Sequence, residues 1–409
     1  MSDALALYVH WPFCVSRCPY CDFNSHVRTS IDQDAWRDAL LADLAHEAQL
    51  LPGRRLTSIF FGGGTPSLME PATVEAMVTA AREHWPAADD IEITLEANPN
   101  SVEAARFADL AAAGVNRLSL GLQSFDDRAL AFLGRAHSAL EGWKALEIAQ
   151  KRFRRISFDL IYALPGDTAD GWSAMLAQAL SLGTSHLSLY QLTIEPGTRF
   201  ASDVAKRRFE PLDADTAAAL FELTQAMTAA GGLPAYEISN HARRGAESRH
   251  NLTYWRYGDY AGIGPGAHGR RLGMRTVRHR KPENFLRAIR RNGSGISEEA
   301  LLSPTEAADE ALVMGLRLGE GVDADAIARR FGVSSVVDWV RVDRLVGSGH
   351  VMRKASRIAL TPSGRLLLDH ILGEIAVVDP IRFSAAAPES PGRSEPLPVP
   401  LPLAAAHSC

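Results

Sequence analysis

Four cysteines are all that 409 residues contain, and three of them, Cys14, Cys18 and Cys21, fall within eight residues as C-x3-C-x2-C. So sparse a supply excludes a disulfide-stapled secreted scaffold and suits a reducing compartment. No apolar run approaches the length needed to span a bilayer. The opening MSDALALYVHWP carries an acid and no basic stretch, so it does not read as a secretory signal. Charge of one sign is missing too. The 43 Lys and Arg face 48 Asp and Glu, and the net charge of -5 argues against a broad nucleic-acid-binding surface. Together these absences lead us to expect a cytoplasmic protein without a nucleic-acid partner. At this length two or three domains are expected, with an ordinary apolar content of 46% to fill their cores.

What is present starts with the cysteines. Thiolates so close cannot all enter unstrained disulfides, so the spacing points to a metal centre. Structural zinc takes four protein ligands, and the remaining cysteine, Cys409, ends a Pro-rich tail. A [4Fe–4S] cluster also usually takes four; three thiolates leave one iron open to a small molecule. That arrangement resembles the radical-SAM signature, in which S-adenosylmethionine chelates the open iron.

Hydrophobic periodicity organises the first 200 residues. Ala4 to His10 reads as a buried strand that leads straight into the cysteine loop, and Asp32 to Leu51 as an amphipathic helix. Thr57 to Phe61 is a short apolar run ending in Gly62-Gly63-Gly64-Thr65-Pro66-Ser67. The unit then recurs: helix Pro71–His84, strand Ile91–Glu96, helix Ser101–Ala113, strand Arg117–Leu122, strand Ile156–Tyr162, helix Asp170–Leu182 and strand Ser185–Leu192. Apolar strands alternating with helices predict parallel βα units. Six units fall short of a closed eight-stranded barrel, so the expected fold class is α/β, a partial (β/α)6 barrel. Functional groups then belong at the carboxyl ends of the strands, where the cysteine loop, the glycine run, Glu96, Gln123 and Asp159 all fall.

Beyond residue 200 come an Ala-rich helix, Asp213–Ala230, the run His250-Asn251-Leu252-Thr253-Tyr254-Trp255, and a glycine-rich stretch, Tyr260 to His268, read as a loop that carries function. Its G-x-G lacks the strand–turn–helix setting of a dinucleotide fingerprint. From Pro304 to Ile375, helices Thr305–Leu318, Asp323–Phe331 and Val336–Leu345 precede apolar runs Val351–Arg353 and Ile358–Leu360, an order that resembles a winged helix. Asp323, Asp325 and Asp338 interrupt its arginines, so no basic face for DNA emerges, and a redox-sensing winged-helix regulator is disfavoured. The expected domains are a barrel at 1–200, a connecting region at 201–300, a smaller winged-helix-like α+β domain at 301–380 and a disordered tail at 381–409.

The residues at the strand ends suit S-adenosylmethionine. Backbone at Gly63 and Gly64 can approach a ligand with no Cβ in the way. Glu96 and Asp159 offer carboxylates for ribose or ammonium, Gln123 a donor and an acceptor, Arg135 a fork for a carboxylate, and Tyr20 a ring for adenine. Taken alone, each is as well explained by packing or a surface charge.

The motifs YVHWPFCVSRCPYCDF, FFGGGTPS, LEANP, LGLQSF, FLGRAH and DLIYALPGDT are similar to those of the oxygen-independent coproporphyrinogen III oxidase group of radical-SAM proteins. The resemblance runs on through HNLTYW and GIGPGAH to the C-terminal domain. It implies cluster ligands Cys14, Cys18 and Cys21, and S-adenosylmethionine contacts from Tyr8, Tyr20, Gly63, Gly64, Thr65, Glu96, Gln123, Arg135 and Asp159. Ala163 departs from the group, which usually has glycine after DLIY, and so small a residue is expected to have little effect.

Two branches of the group differ. The oxidase has a longer N-terminal extension and a further cysteine two residues after the third; here 13 residues precede Cys14 and Phe23 stands at that position. The C-D-F ending and HNLTYW resemble the HemW-type haem chaperones. That resemblance implies haem binding through His250, Asn251, Tyr254 and Trp255, delivery to client haem proteins (membrane-bound ones included), peripheral association with the inner face of the membrane and a homodimer. Neutral His250 can ligate iron and the two aromatics can lie against a porphyrin; the run alone favours a histidine and two aromatics closing a domain interface, and the resemblance reverses that preference. His268 is the next candidate ligand. Radical decarboxylation of coproporphyrinogen III is the alternative activity.

Overall fold

The computed structural model describes residues 3–377. The tail at 381–409, expected to be disordered, lies outside the described residues, and Cys409 with it. The described chain forms two compact units, residues 3–254 with 258–301, and residues 255–257 with 302–377.

In the first unit one sheet carries β1 (Ala4–Trp11), β2 (Arg55–Gly63), β3 (Ala87–Ala97), β4 (Arg117–Gln123), β5 (Arg155–Tyr162), β6 (His186–Gln191), β7 (Asn240–Ala242), β8 (Tyr260–Ile263), β9 (His268–Arg271), β10 (Met274–Arg278) and β11 (Ile296–Leu301). Strands β1 to β6 lie side by side in sequence order and run parallel, the partial barrel that the periodicity predicts. Antiparallel β7 borders β6. Beyond β1 the sheet continues through parallel β8 to the antiparallel β9, β10 and β11, so residues 201–300 extend the same sheet. Alternate residues explain the layering: Leu5, Leu7, Val9 and Trp11 of β1 are buried in the core beneath the helices, while Tyr8 and His10 take the other face. The helices begin where short polar side chains cap them, as Asp32 does by accepting Ala35 N at 3.1 Å and Ser138 does in a capping box with Glu141.

The stretch from Tyr260 to His268 corrects the reading as a loop. Tyr260–Ile263 is strand β8, and only the four residues after it turn. Its glycines answer to close backbone approach. A Cβ on Gly262 would lie 1.8 Å from the His268 carbonyl oxygen, and one on Gly264 would lie 2.3 Å from that of His10. HNLTYW likewise lies on a helix, Arg249–Trp255.

A buried charge cluster ties the hairpin strands to the helix Gln33–Leu50. Asp43 accepts Gly264 N at 3.1 Å and Arg278 Nε at 3.3 Å through Oδ2, and Gly295 N at 2.9 Å through Oδ1. Glu47 accepts Arg278 Nη2 at 2.6 Å and Arg271 Nε at 2.9 Å. Arg278, Asp43 and Glu47 are buried.

The second unit holds helices Pro304–Leu316, Ala324–Phe331 and Trp339–Gly347, then the hairpin β13 (Val351–Lys354) and β14 (Arg357–Leu360), which also pairs with β12 (Val322–Asp323). That is the winged-helix order. Residues 255–257 pack into it: Tyr257 donates to Glu310 at 2.7 Å, and the Arg317 guanidinium lies 4.7 Å from the centre of the Trp255 ring.

Ala163 overturns an expectation. It is an alanine in the left-handed region, φ +60°, where glycine pays no steric penalty. Ala163→Gly should therefore raise stability by about 1 kcal/mol, read as a shift in the urea midpoint. Asp43→Ala takes the acceptor away from Arg278 Nε and from two backbone N–H groups, leaving Glu47 alone to balance Arg278 and Arg271, and should cost about 3 kcal/mol by the same measurement.

Candidate functional site

The cysteines sit where β1 hands over to a loop. Phe13–Cys14 forms a short parallel pair with His26–Val27, and Cys14, Cys18 and Cys21 are buried and free of disulfides. The glycine run passes directly beneath them. Gly64 N donates to Trp11 O at 2.7 Å and Thr65 N to Phe13 O at 2.8 Å. A Cβ on Gly64 would stand 3.0 Å from Cys14 Sγ, and one on Gly63, at φ +119°, 2.7 Å from the His10 ring. The glycines are thus demanded by the cysteine strand itself.

Burial pushes the Cys14 thiol up to about 11, against a hydrogen bond from Thr65 Oγ1 at 3.5 Å that pulls it down. A thiol so buried gives up its proton readily only to a metal that replaces it. Among the described residues no group of three or more His, Cys, Asp or Glu side chains surrounds a single ion. A [4Fe–4S] cluster sets a different geometry, because each thiolate takes its own iron. Three buried thiols with hydrogen-bond donors aimed at two of them fit that group.

Glu96 and Arg135 reach the glycine run and the cysteine loop directly. Glu96 Oε2 accepts Gly63 N at 3.2 Å. Arg135 donates to Cys18 Sγ at 3.3 Å, to Asn98 Oδ1 at 2.6 Å and to Gly121 O at 3.0 Å. Gln123, buried at the end of β4, holds a left-handed φ of +67°, a costly backbone kept at a strand end. Asp159 is buried on β5 beside Tyr190, whose hydroxyl is raised above its ordinary range first by burial and then by that carboxylate. Tyr20 leans on Phe200, ring centres 6.3 Å apart.

Sequence reasoning missed His10, Asn24 and Asn98. His10 Nε2 bonds Asn24 O at 3.0 Å, and its Nδ1 meets Tyr8 OH at 2.9 Å. A carbonyl only accepts, so Nε2 carries the proton and Nδ1 accepts from the tyrosine. Burial lowers His10 to about 4, which keeps it neutral. Asn24 Nδ2 in turn donates to Pro265 O and Arg280 O, both at 2.9 Å, so the GIGPGAH turn braces the cysteine loop. Asn98 had a signal, its place in LEANP; Asn24 had none.

The HNLTYW helix is placed elsewhere in the barrel. Arg249 N donates at 2.9 Å to Glu92, which also holds Arg155 at 2.6 Å and Arg117 at 3.3 Å. Glu92 lies four residues before Glu96 on β3, about 13 Å towards the amino end of the strand. His250 stacks on Phe60, 4.9 Å between centres and 28° between planes, with Tyr8 at 5.9 Å. Its Nδ1 is sealed from water with no hydrogen-bond partner, and burial lowers the ring to about 4. Asn251 donates to Tyr236 OH at 3.2 Å, which meets His186 Nε2 at 3.1 Å, and His186 Nδ1 meets Ser157 Oγ at 2.7 Å. Tyr254 packs edge-on against Tyr260. Trp255 belongs to the second unit.

Residues 8–179 match the family model of the Radical SAM superfamily, and residues 302–367 that of the HemN C-terminal domain. The chain is 37% identical over 376 residues to the heme chaperone HemW of Escherichia coli, covering 90% of this chain and 97% of that one. It is 35% identical over 370 residues to the heme chaperone HemW of Bacillus subtilis, with 90% and 97% covered. A mitochondrial radical S-adenosyl methionine domain-containing protein 1 of Bos taurus is 42% identical over 332 residues, 78% of this chain and 75% of that one. Among solved structures, coproporphyrinogen III oxidase (HemN) from Escherichia coli superposes with a TM-score of 0.76 at 23% identity, over 91% of this chain and 89% of that one, which shows a shared fold.

Acid should loosen this unit. His10, His137 and His250 are each held down to about 4 chiefly by burial, whereas unfolded imidazoles titrate near 6.5. Between those values the unfolded chain takes up protons that the native one refuses. Stability is then full above about pH 6.5 and lost as pH falls towards 4, by roughly 1.4 kcal/mol per group per pH unit. Urea titrations of the cluster-free protein at pH 7.5, 6 and 5 check this, and His250→Phe should flatten the slope.

Proposed function

The chain belongs to the HemW family of radical-SAM proteins, and from that membership we propose that it is a haem chaperone that binds haem, a [4Fe–4S] cluster and S-adenosylmethionine and delivers the haem to client haem proteins. In this reading Cys14, Cys18 and Cys21 hold the cluster. The same reading gives Gly63, Gly64, Thr65, Glu96, Gln123, Arg135, Asp159, Tyr8 and Tyr20 the contacts to S-adenosylmethionine. The bound cluster and S-adenosylmethionine supply one-electron chemistry at an open iron. The chain's own residues shelter it: Cys14, Cys18 and Cys21 are buried, and Arg135 directs positive charge at Cys18.

His250 carries the haem part of the proposal. It is a neutral imidazole whose Nδ1 is buried and has no hydrogen-bond partner, stacked on Phe60 with the Tyr8 ring beside both. Iron takes neutral imidazole, and an apolar wall suits a porphyrin. Asn251 and Tyr254 stand on the same short helix and join the proposed site, with Trp255 following them in sequence. The protein works in the cytoplasm, meets membrane-bound clients peripherally, and assembles as a homodimer when its cluster is in place. Among the described residues no helix is long and apolar enough to cross a membrane.

An anaerobic haem titration of the reconstituted protein, read by absorbance, tests the proposal beside an assay for decarboxylation of coproporphyrinogen III. Stoichiometric haem binding without turnover is expected. Catalytic turnover would make the protein an oxidase. His250→Phe keeps the ring stack and removes the nitrogens, and should weaken haem binding about tenfold or more while leaving cluster absorbance unchanged.

A further inference from the structure

Cys14 and Cys18 each accept a hydrogen bond from a side chain, and both donors rest on one further side chain. Asn98 Nδ2 donates to Thr65 Oγ1 at 3.2 Å, and Thr65 donates onward to Cys14 Sγ at 3.5 Å. Asn98 Oδ1 accepts Arg135 Nη2 at 2.6 Å, and the Nη1 of the same guanidinium donates to Cys18 Sγ at 3.3 Å. Chemistry fixes the orientation of the amide. A guanidinium only donates and the Glu103 carboxylate, 3.3 Å from Nδ2, only accepts, so oxygen must face Arg135 and nitrogen must face Thr65 and Glu103. Thr65 has one proton. With Asn98 donating to its oxygen, that proton is left to point at sulfur.

Asn98 is itself anchored. Its backbone N–H donates to Glu103 Oε2 at 2.8 Å, and buried Glu103 also accepts Asn100 Nδ2 at 2.7 Å and the Ser67 hydroxyl. Glu103 thereby joins the loop after β3 to the loop after β2. Such a support sets donor angles to sulfur more tightly than Thr65 or Arg135 could alone.

We propose that Asn98 is a positioning residue for the iron–sulfur cluster, orienting Thr65 and Arg135 so that they hydrogen-bond to the Cys14 and Cys18 thiolates and raise the reduction potential of the cluster. This rests on the cluster reading of the three cysteines. Donors to thiolate sulfur favour the more negative, reduced cluster, so their loss makes reduction harder.

The experiment compares wild type with Asn98→Leu, Asn98→Ser and Thr65→Val after anaerobic reconstitution, without S-adenosylmethionine. It measures iron and sulfide content and follows the reduced-cluster EPR signal through a redox titration. All three variants keep the backbone bond from residue 98 to Glu103. Asn98→Leu should hold its iron but need a more reducing poise, with the reduced-to-oxidised ratio at fixed poise falling about tenfold, or 59 mV for one electron. Asn98→Ser decides the same question if the leucine variant folds poorly. Thr65→Val should shift the potential less, because the Arg135 branch remains, and adding Thr65→Val to Asn98→Leu should add little. Loaded Asn98 variants that titrate with the wild-type potential would overturn the role of Asn98 alone. A wild-type protein that takes up no cluster would instead overturn the reading beneath it.

Discussion

A buried carboxylate needs hydrogen-bond donors from the protein, and Asp43 finds three of them in distant parts of the chain. Gly264 N lies at the turn after β8, Gly295 N just before β11, and Arg278 at the end of β10. These are the segments that carry the sheet beyond β1. The Gly264 bond fixes the GIGPGAH turn, whose Pro265 carbonyl receives Asn24 Nδ2, and Asn24 receives the His10 ring. The cysteine loop has little regular structure of its own beyond one short strand pair. Its position is imposed from outside, and the chain of imposition begins in the core of the first helix.

The parts of the molecule that were legible in the sequence are those set by local rules. Alternation and helical spacing placed β1 to β6 within a few residues, since each strand buries one face under helices and helices such as Gln33–Leu50, Ala139–Arg152 and Ala169–Ser181 are capped by a nearby Asp, Ser or Thr. Clustered cysteines announce metal chemistry by spacing alone. The illegible parts depend on partners far away in sequence. Tyr260–Ile263 looked like a loop because its glycines suggest flexibility, whereas they are there to let β8 lie against β9 and β1. Ala163 looked harmless because size was weighed and φ was not. Asn98 is an ordinary polar residue until the folds of two loops bring Thr65 and Arg135 to either side of it.

One strand carries two carboxylates into different surroundings. Glu96, at the carboxyl end of β3, faces the glycine run and the cysteines; Glu92, earlier on the same strand, holds Arg117 and Arg155 and receives the first N–H of the HNLTYW helix. Period-two alternation puts both carboxylates on one face of the strand and separates them by about 13 Å.

The two ends are nevertheless in contact through three rings and one amide. His250 lies on Tyr8, Tyr8 donates to His10 Nδ1, and His10 donates to the Asn24 carbonyl beside the cysteine loop. The Tyr8 O–H donates to Nδ1 only while His10 is neutral; a protonated ring would donate there itself and the hydroxyl would have to turn and accept. Burial supplies that neutrality. The Asn24 carbonyl selects the tautomer with the proton on Nε2, and burial keeps the ring in that neutral form beside the cysteine loop.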